Sequence, residues 1–491
     1  MRLRCLLVTL IGTLSLATGA VHAQSAGGGG ALAPRAPGAG ASPALDTEAP
    51  RANDALALAI YRELVEINTI TATGDTAQAA EAMARRLRDA GFAASDVQVF
   101  KPAPRKGNLV ARLRGSGARR PLLLLAHIDV VEARGEQWQT DPFRLTEKDG
   151  YFHGRGTSDD KFMAAAFVAN LIRYRQEGYQ PQRDIVLVLE TDEEILDADA
   201  MGIQWLIAHQ RDLIDAEFAL NEGGSVVLKD GRPRWNTLQT SEKVSVFFKL
   251  EVHDAGGHSA VPTRSNAIYR LAAGLERLAT FEFPLQLTDT TRAWLDQMAR
   301  IETEPTRSDM RAVLQPSPDA QALRRLSASP SLNAQLRTTC VATLIEGGQA
   351  TNALPQRAAA TVNCRLMPGT TVESVRETLA VVLAEPAIVI SPIGVSTVSD
   401  PSPLRADLMA AIESVSAEFW PGAPILPTMS AGATDGTFLR NAGIPTYGHS
   451  GMAMEQGESR AHGLDERVPV GSFYKGVEYL YRLVRRLAGP T

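Results

Sequence analysis

Pro121-Leu122-Leu123-Leu124-Leu125-Ala126-His127-Ile128-Asp129 is the stretch that decides the fold. A strand with one wet face alternates apolar and polar residues; this one does not alternate, so both of its faces need cover. Two more runs share the property, Ile-Val-Leu-Val-Leu-Glu at 185–190 and Phe-Ala-Leu-Asn at 218–221. Helical periodicity separates them, over 164–174 and 203–210. Two helices at 54–68 and 76–90 and short strands at 97–100 and 109–113 come first. Buried strands alternating with helices predict an α/β fold built on a doubly wound, mainly parallel sheet. In such sheets ligands bind past the carboxyl ends of the strands, where His127 and Asp129 fall.

The pattern changes after Ser241. Residues 243–253 alternate like a half-buried strand, 265–278 are helical, and strands follow at 340–346 and 358–366. A helix at 372–383 and a strand at 387–390 complete a β-α-β-β-α-β order, the split βαβ or ferredoxin-like α+β unit. A polar segment at 283–337 reads as an insertion with helices of its own. The doubly wound pattern resumes with a helix at 404–419, strands near 425–429 and 445–448 and a closing helix at 474–487. The expected organisation is therefore nested: a first part of the large domain at 53–241, an inserted domain at 242–394 and a second part at 395–491.

Ahead of all this, Arg2 and Arg4 precede an apolar run at 6–17, and Val21-His22-Ala23 fits a small-x-small cleavage site. This describes a signal peptide at 1–23 and a secreted or periplasmic protein. No later stretch reaches the ~20 apolar residues of a membrane span, so no stable span is expected after cleavage. Residues 24–52, rich in Gly, Ala and Pro, read as a flexible linker. Across the 491 residues, 50 Lys+Arg stand against 55 Asp+Glu, a net charge of -5 that speaks against a nucleic-acid partner. The length exceeds what one core supports, which also requires two domains. Three cysteines exclude a disulfide scaffold and a thiolate zinc array.

Several acidic and histidine side chains follow the apolar strands. His127 and Asp129 form His-x-Asp; Asp159 and Asp160 lie in GRGTSDDK at 154–161; Glu193 and Glu194 follow 185–190; Glu222 follows 218–221. His462 lies far downstream in AHGLDERV, 461–468. Carboxylates crowded at one edge repel unless cations sit among them. Histidine and carboxylate donors without thiolate suit zinc, with cobalt or manganese as substitutes. Two histidines and three carboxylates can hold two ions about 3.5–4 Å apart. Asp129 is placed to hold the far nitrogen of His127, and one of Glu193 and Glu194 is placed to ligate while the other serves as a base.

With these motifs in order, the chain resembles the co-catalytic zinc peptidases that include glutamate carboxypeptidase, aminoacylase-1, carnosine dipeptidases and succinyl-diaminopimelate desuccinylase, the M20 metallopeptidases. The resemblance runs from about residue 53 to the C-terminus. It rests on AHIDVV (126–131), GRGTSDDK (154–161), TDEE (191–194), NEGG (221–224), GGHSAVPT (256–263), Asn352 with Arg365, GATDGTFLRNAGIPTYG (432–448) and AHGLDERV (461–468). It implies two zinc ions, one on His127 and Glu222, the other on Glu194 and His462, with Asp159 bridging. Glu193 is implied as general base and acid, and the Asp159–Asp160 peptide as cis. His258, on an inserted lid and dimerisation domain, is implied to stabilise the oxyanion, often from a partner subunit. Asn352 and Arg365 are implied as its companions, with Arg365 pairing a substrate carboxylate.

Glu rather than Asp at 222 is what the resembling carboxypeptidases and aminoacylases tend to carry. The resemblance therefore implies an exported dizinc hydrolase that cuts the amide next to a C-terminal amino acid, as a metallocarboxypeptidase or N-acyl-amino-acid amidohydrolase. Its substrate would be a peptide or N-acyl amino acid, and a homodimer through the inserted domain is a further expectation. An aminopeptidase or dipeptidase is the nearest rival, and an inactive exported peptide-binding protein the rival from another class. Phe162, where the family often has Gly, stands either at the pocket entrance or in the core. His449 follows a strand at the functional edge and is a candidate for the substrate pocket, as is the loop carrying Thr434 and Asp435. His153, His209 and His253 read as structural or exposed. If Glu346 pairs with Ala358, then Cys340 faces Cys364; buried thiols are the first expectation and a cross-strand disulfide the alternative.

Overall fold

The computed structural model describes residues 52–195, 201–394 and 396–490. The expected leader and nearly all of the linker lie outside them. Among the described residues no helix is long and apolar enough to cross a membrane.

The strand Leu122–His127 is buried end to end and sits between Ile185–Glu190 and Phe218–Asn221, parallel to both. Its side chains divide with a period of two. Leu122, Leu124 and Ala126 enter one hydrophobic cluster, with residues of helices Ala52–Glu66, Thr76–Asp89, Lys161–Gln176 and Val470–Ala488. Leu123 and Leu125 enter another on the opposite face, with Ile203, Leu206 and Leu439 from helices Ile203–His209 and Gly436–Asn441. This two-sided cover is why the strand could be wholly apolar.

The full sheet has ten strands. It runs from Val97–Ala103 through Lys106–Leu113, Ile185–Glu190, Leu122–His127, Phe218–Asn221, Thr446–Gly448, Arg232–Glu242 and Val226–Lys229 to Ala453–Glu455, with Ile425–Ser430 joining Arg232–Glu242. It is parallel through its centre, and antiparallel pairs flank that centre on both sides. The hairpin Val226–Lys229/Arg232–Glu242 adds two strands beyond those the sequence pattern suggests. Its two-residue turn is Asp230-Gly231, both at positive φ (53° and 72°), which suits an Asp-Gly hairpin turn.

A second, four-stranded antiparallel sheet has the order Thr339–Gly347, Arg357–Leu366, Val244–His253, Val389–Ile393. Helices Ala267–Thr280 and Val372–Leu383 contribute to its core. Cys340 does face Cys364, and the two form a disulfide. Glu346, however, pairs with Ala359 rather than Ala358, because an irregularity between Ala342 and Leu344 shifts the register by one. The expectation of buried thiols is thereby corrected.

The segment at 283–337 folds into helices Asp289–Ile301, Thr306–Val313, Ala320–Ser327 and Pro330–Leu336. Their apolar faces do not return to the four-stranded sheet. Leu295, Met298, Met310, Val313, Leu326 and Leu336 form a separate cluster with Leu426 of the ten-stranded sheet and pack against Trp235. Hydrogen bonds fasten the same junction, from Gln335 to the Met429 carbonyl at 3.1 Å and between the Thr240 and Thr290 hydroxyls at 2.8 Å.

Candidate metal centre

Because Leu122–His127, Ile185–Glu190 and Phe218–Asn221 run parallel side by side, their carboxyl ends lie at one edge. His127 closes the first strand, Glu193 and Glu194 stand just past the second, and Glu222 follows the third. Asp159 arrives from the loop before helix Lys161–Gln176, and its peptide bond to Asp160 is cis. His462 arrives from the loop before the strand Arg467–Pro469.

These side chains form two triads that share Asp159. In His127, Asp159 and Glu222, and in Asp159, Glu194 and His462, the potential ligand atoms all lie within 4.8 Å of one another. Asp159 turns one oxygen to each side: Oδ1 is 2.9 Å from His127 Nε2, and Oδ2 is 3.2 Å from His462 Nε2. His462 Nε2 is also 3.0 Å from Glu194 Oε2.

The electrostatics of the edge call for added positive charge. Burial, and after it the neighbouring Glu222, hold Glu193 well above the usual carboxylate range; burial does the same for Glu222. Burial also disfavours a charged His127, yet the carboxylates of Asp129 and Asp159 beside it raise it well above an ordinary imidazole. Hydrogen bonds with Asp159 and Glu194 push His462 up to about 10. Nitrogen and oxygen donors in two groups with one shared carboxylate fit a pair of divalent cations.

Asp129 is wholly buried, and its role differs from the one expected. The closest acceptor to His127 Nδ1 is the Asp129 main-chain carbonyl at 3.1 Å, with the carboxylate at 3.6 Å. The carboxylate instead accepts the main-chain N–H groups of Glu193 (3.3 Å) and Glu194 (3.1 Å), and the Thr71 hydroxyl (3.2 Å). Asp129 thus holds the ring of His127 with its backbone and the glutamate pair with its side chain.

Other expected residues stand apart from the triads. His258 is exposed on the short strand Gly257–His258, which pairs with Ala353–Leu354; the neighbouring Asn352 carbonyl accepts the Ser259 N–H. Arg365 is half-buried on Arg357–Leu366 and has no ion-pair partner among the described residues; burial lowers its pKa. Its cationic neighbour Lys243 is pushed down to about 7 by burial and by Arg365. The Lys243 ammonium donates to the carbonyls of Ala334 and Arg337.

Two candidates for substrate contact are committed elsewhere. The Thr434 hydroxyl donates to Glu242 at 2.8 Å, inside a buried cluster where Glu242 also pairs with Arg440. His449 is fully buried, with Nδ1 2.9 Å from the Thr237 carbonyl and Nε2 2.6 Å from the Tyr479 hydroxyl. Both ring nitrogens are used, so His449 belongs to the core and not to a substrate pocket. Phe162 likewise packs inward, edge-on to Phe473. Sequence reasoning missed Arg155 and Glu466, although both lie inside motifs it had singled out.

A family model described as Peptidase family M20/M25/M40 matches residues 123–486. The N-fatty-acyl-amino acid synthase/hydrolase PM20D1 of Xenopus tropicalis is 30% identical over 377 residues, 74% of this chain and 72% of that protein. The Dictyostelium discoideum probable carboxypeptidase S-like 2 is 28% identical over 375 residues, 74% of this chain and 71% of that protein. Among solved structures, the M20 family metallo-carboxypeptidase Sso-CP2 from Sulfolobus solfataricus superposes with a TM-score of 0.66 at 18% identity. That match covers 87% of this chain and 98% of the other, and it speaks to the fold.

Proposed function

This chain belongs to peptidase family M20/M25/M40 and is a metal-dependent peptidase/amidohydrolase; from that premise we propose that it is an exported two-metal enzyme cleaving the amide next to a C-terminal amino acid, with N-acyl amino acids as the favoured substrates. The observation that carries this reading is the sharing of Asp159 between two triads, with Glu193 beside them.

In this reading His127 and Glu222 would hold one ion and Glu194 and His462 the other, with Asp159 shared between them. Two divalent cations bound there supply Lewis acidity, polarising the scissile carbonyl and acidifying water. Glu193 takes the proton from the attacking water and returns it to the leaving nitrogen. Its main-chain N–H is fixed by Asp129, so the base is placed by a buried carboxylate and not by an open loop. His258, apart from the triads within one chain, would be supplied by the partner subunit of a homodimer as a donor to the carbonyl oxygen as charge develops there. Arg365, with no carboxylate partner among the described residues, would pair bidentately with the substrate's.

The N-acyl assignment draws on the relatives named for N-fatty-acyl-amino acids and on Arg365. Export draws on the composition of residues 1–23 and on the Cys340–Cys364 disulfide, which belongs to oxidising compartments. A homodimer draws on the edge strand Thr339–Gly347, which leaves Val341, Leu344 and Ile345 exposed. Retention of every ligand and of Glu193 argues against an inactive binding protein.

The test is hydrolysis of a panel of N-acyl amino acids beside free dipeptides, with zinc content measured on the same preparations. Release of the amino acid from blocked substrates is expected, with a fall of about 10²–10⁴ in kcat for Glu193→Gln at unchanged zinc content. Cleavage that requires a free amino terminus would sink the substrate assignment.

A further inference from the structure

Glu466 lies four residues beyond His462, is wholly buried, and belongs to neither triad. Its carboxylate gathers donors from a single loop. Oε1 accepts the main-chain N–H groups of Ser158 (2.7 Å) and Asp159 (3.1 Å) and the Ser158 hydroxyl (2.9 Å). Oε2 accepts the Gly156 N–H (2.9 Å) and pairs with the Arg155 guanidinium at 2.7 Å. The Glu466 carbonyl takes the Gly154 N–H as well.

Arg155 is as deeply buried as its partner, at 2% exposure, and lies over the Trp138 ring. From there it donates to the Gly463 carbonyl at 3.1 Å and reaches the His462 carbonyl at 3.5 Å. His462 needs such help. Its side chain is 54% exposed, and its backbone sits at φ 61°, a left-handed conformation that its surroundings must hold. One ion pair therefore grips the main chain on both sides of the second triad.

We propose that Glu466 is a positioning residue for the metal pair, acting directly on the backbone of Asp159 and, through Arg155, on that of His462. This rests on the two-metal reading above. A buried ion pair by itself adds little to stability, since desolvation offsets its attraction. What this one adds is direction. The bridging role of Asp159 requires its two oxygens to face different histidines, and that orientation is set by a main chain which Glu466 holds. Groups that orient ligands in this way typically account for 10–100-fold in metal affinity.

The test uses the full chain, stripped with chelator and titrated with zinc by calorimetry. Glu466→Asp keeps the charge opposite Arg155 but withdraws the carboxylate from the loop; Glu466→Gln keeps the length and replaces one acceptor with a donor. Both variants are expected to bind zinc about 10–100-fold more weakly and to alter the visible spectrum of the cobalt-loaded protein. The melting temperature of metal-free Glu466→Asp should fall, because buried loop N–H groups lose their acceptor, so zinc affinity is compared at a temperature where both proteins are fully folded. Combining Glu466→Gln with Arg155→Met removes the stranded guanidinium, so stability should return while affinity does not. If the variants take up two zinc ions with unaltered affinity, Glu466 is only a packing partner and the proposal fails. Failure of the unaltered chain to bind zinc would instead overturn the two-metal reading.

Discussion

The carboxylate of Asp129 accepts the main-chain N–H of Glu194 at 3.1 Å. A strand-end residue from one βα unit thus fixes the backbone of the next. Asp129→Asn turns an amide donor toward one of these N–H groups or leaves it facing a weaker acceptor. The expected result is a loss of about 10–100-fold in kcat/KM, with reduced zinc affinity in calorimetry. Unaltered kinetics would show that the glutamate pair holds its place without Asp129.

Arg365 provides a separable test of substrate recognition. Charge-assisted hydrogen bonds contribute about 1.5–3 kcal/mol each. Arg365→Met removes a two-bond pairing and should therefore raise KM for N-acyl amino acids by roughly 10²-fold to 10⁴-fold and leave kcat much less affected. Substrates with a carboxamide in place of the carboxylate should be poor for the unaltered enzyme and indifferent to the substitution.

His449 predicts a pH dependence of stability. Burial holds its pKa down to about 4, whereas the unfolded chain has the ordinary value of about 6.5. Between those values the unfolded state binds the extra proton, so stability is intact above the upper value and is lost as pH falls through the window. Denaturant titrations should show the unaltered protein losing on the order of 3 kcal/mol there that His449→Gln does not lose. Parallel curves for the two proteins would contradict the assignment.

The Cys340–Cys364 bridge closes a loop of sequence separation 24 between neighbouring strands. Replacing both residues with alanine should lower stability by about 2–4 kcal/mol. Thermal melts should place the unaltered protein in reductant beside the double variant in the absence of reductant.

The parts of the fold that were legible are those in which burial is total. Residues 122–126 had to be central because no polar position interrupts them, and both faces proved covered. The hairpin at Asp230-Gly231 has a turn signal but a first strand too short to show alternation, so the sequence pattern alone does not reveal it. The five side chains that meet in the two triads were legible from strand ends and motif order. The partners of Asp129 were not, because they depend on how one loop folds over another. His449 looked functional by position, and only the depth of the core around Tyr479 shows otherwise. Glu466 escaped notice because its donors are main-chain groups, which leave no mark in the residue types.

The strand Thr446–Gly448 lies between Phe218–Asn221 and Arg232–Glu242 in the large sheet. During synthesis the chain emerges from its N-terminal end, so this place in the middle of the sheet stays vacant until nearly all of the protein has been made. The helices of 283–337 wait in part as well, because Leu426, the buried large-sheet residue of their cluster, comes some ninety residues later, though Trp235 on the other side is already in place. A nascent chain that stops short of residue 446 holds a split sheet with two unpaired inner edges. Folding of the whole is therefore set by its last segment, and truncation from the C-terminal end should cost the entire structure rather than its final helix.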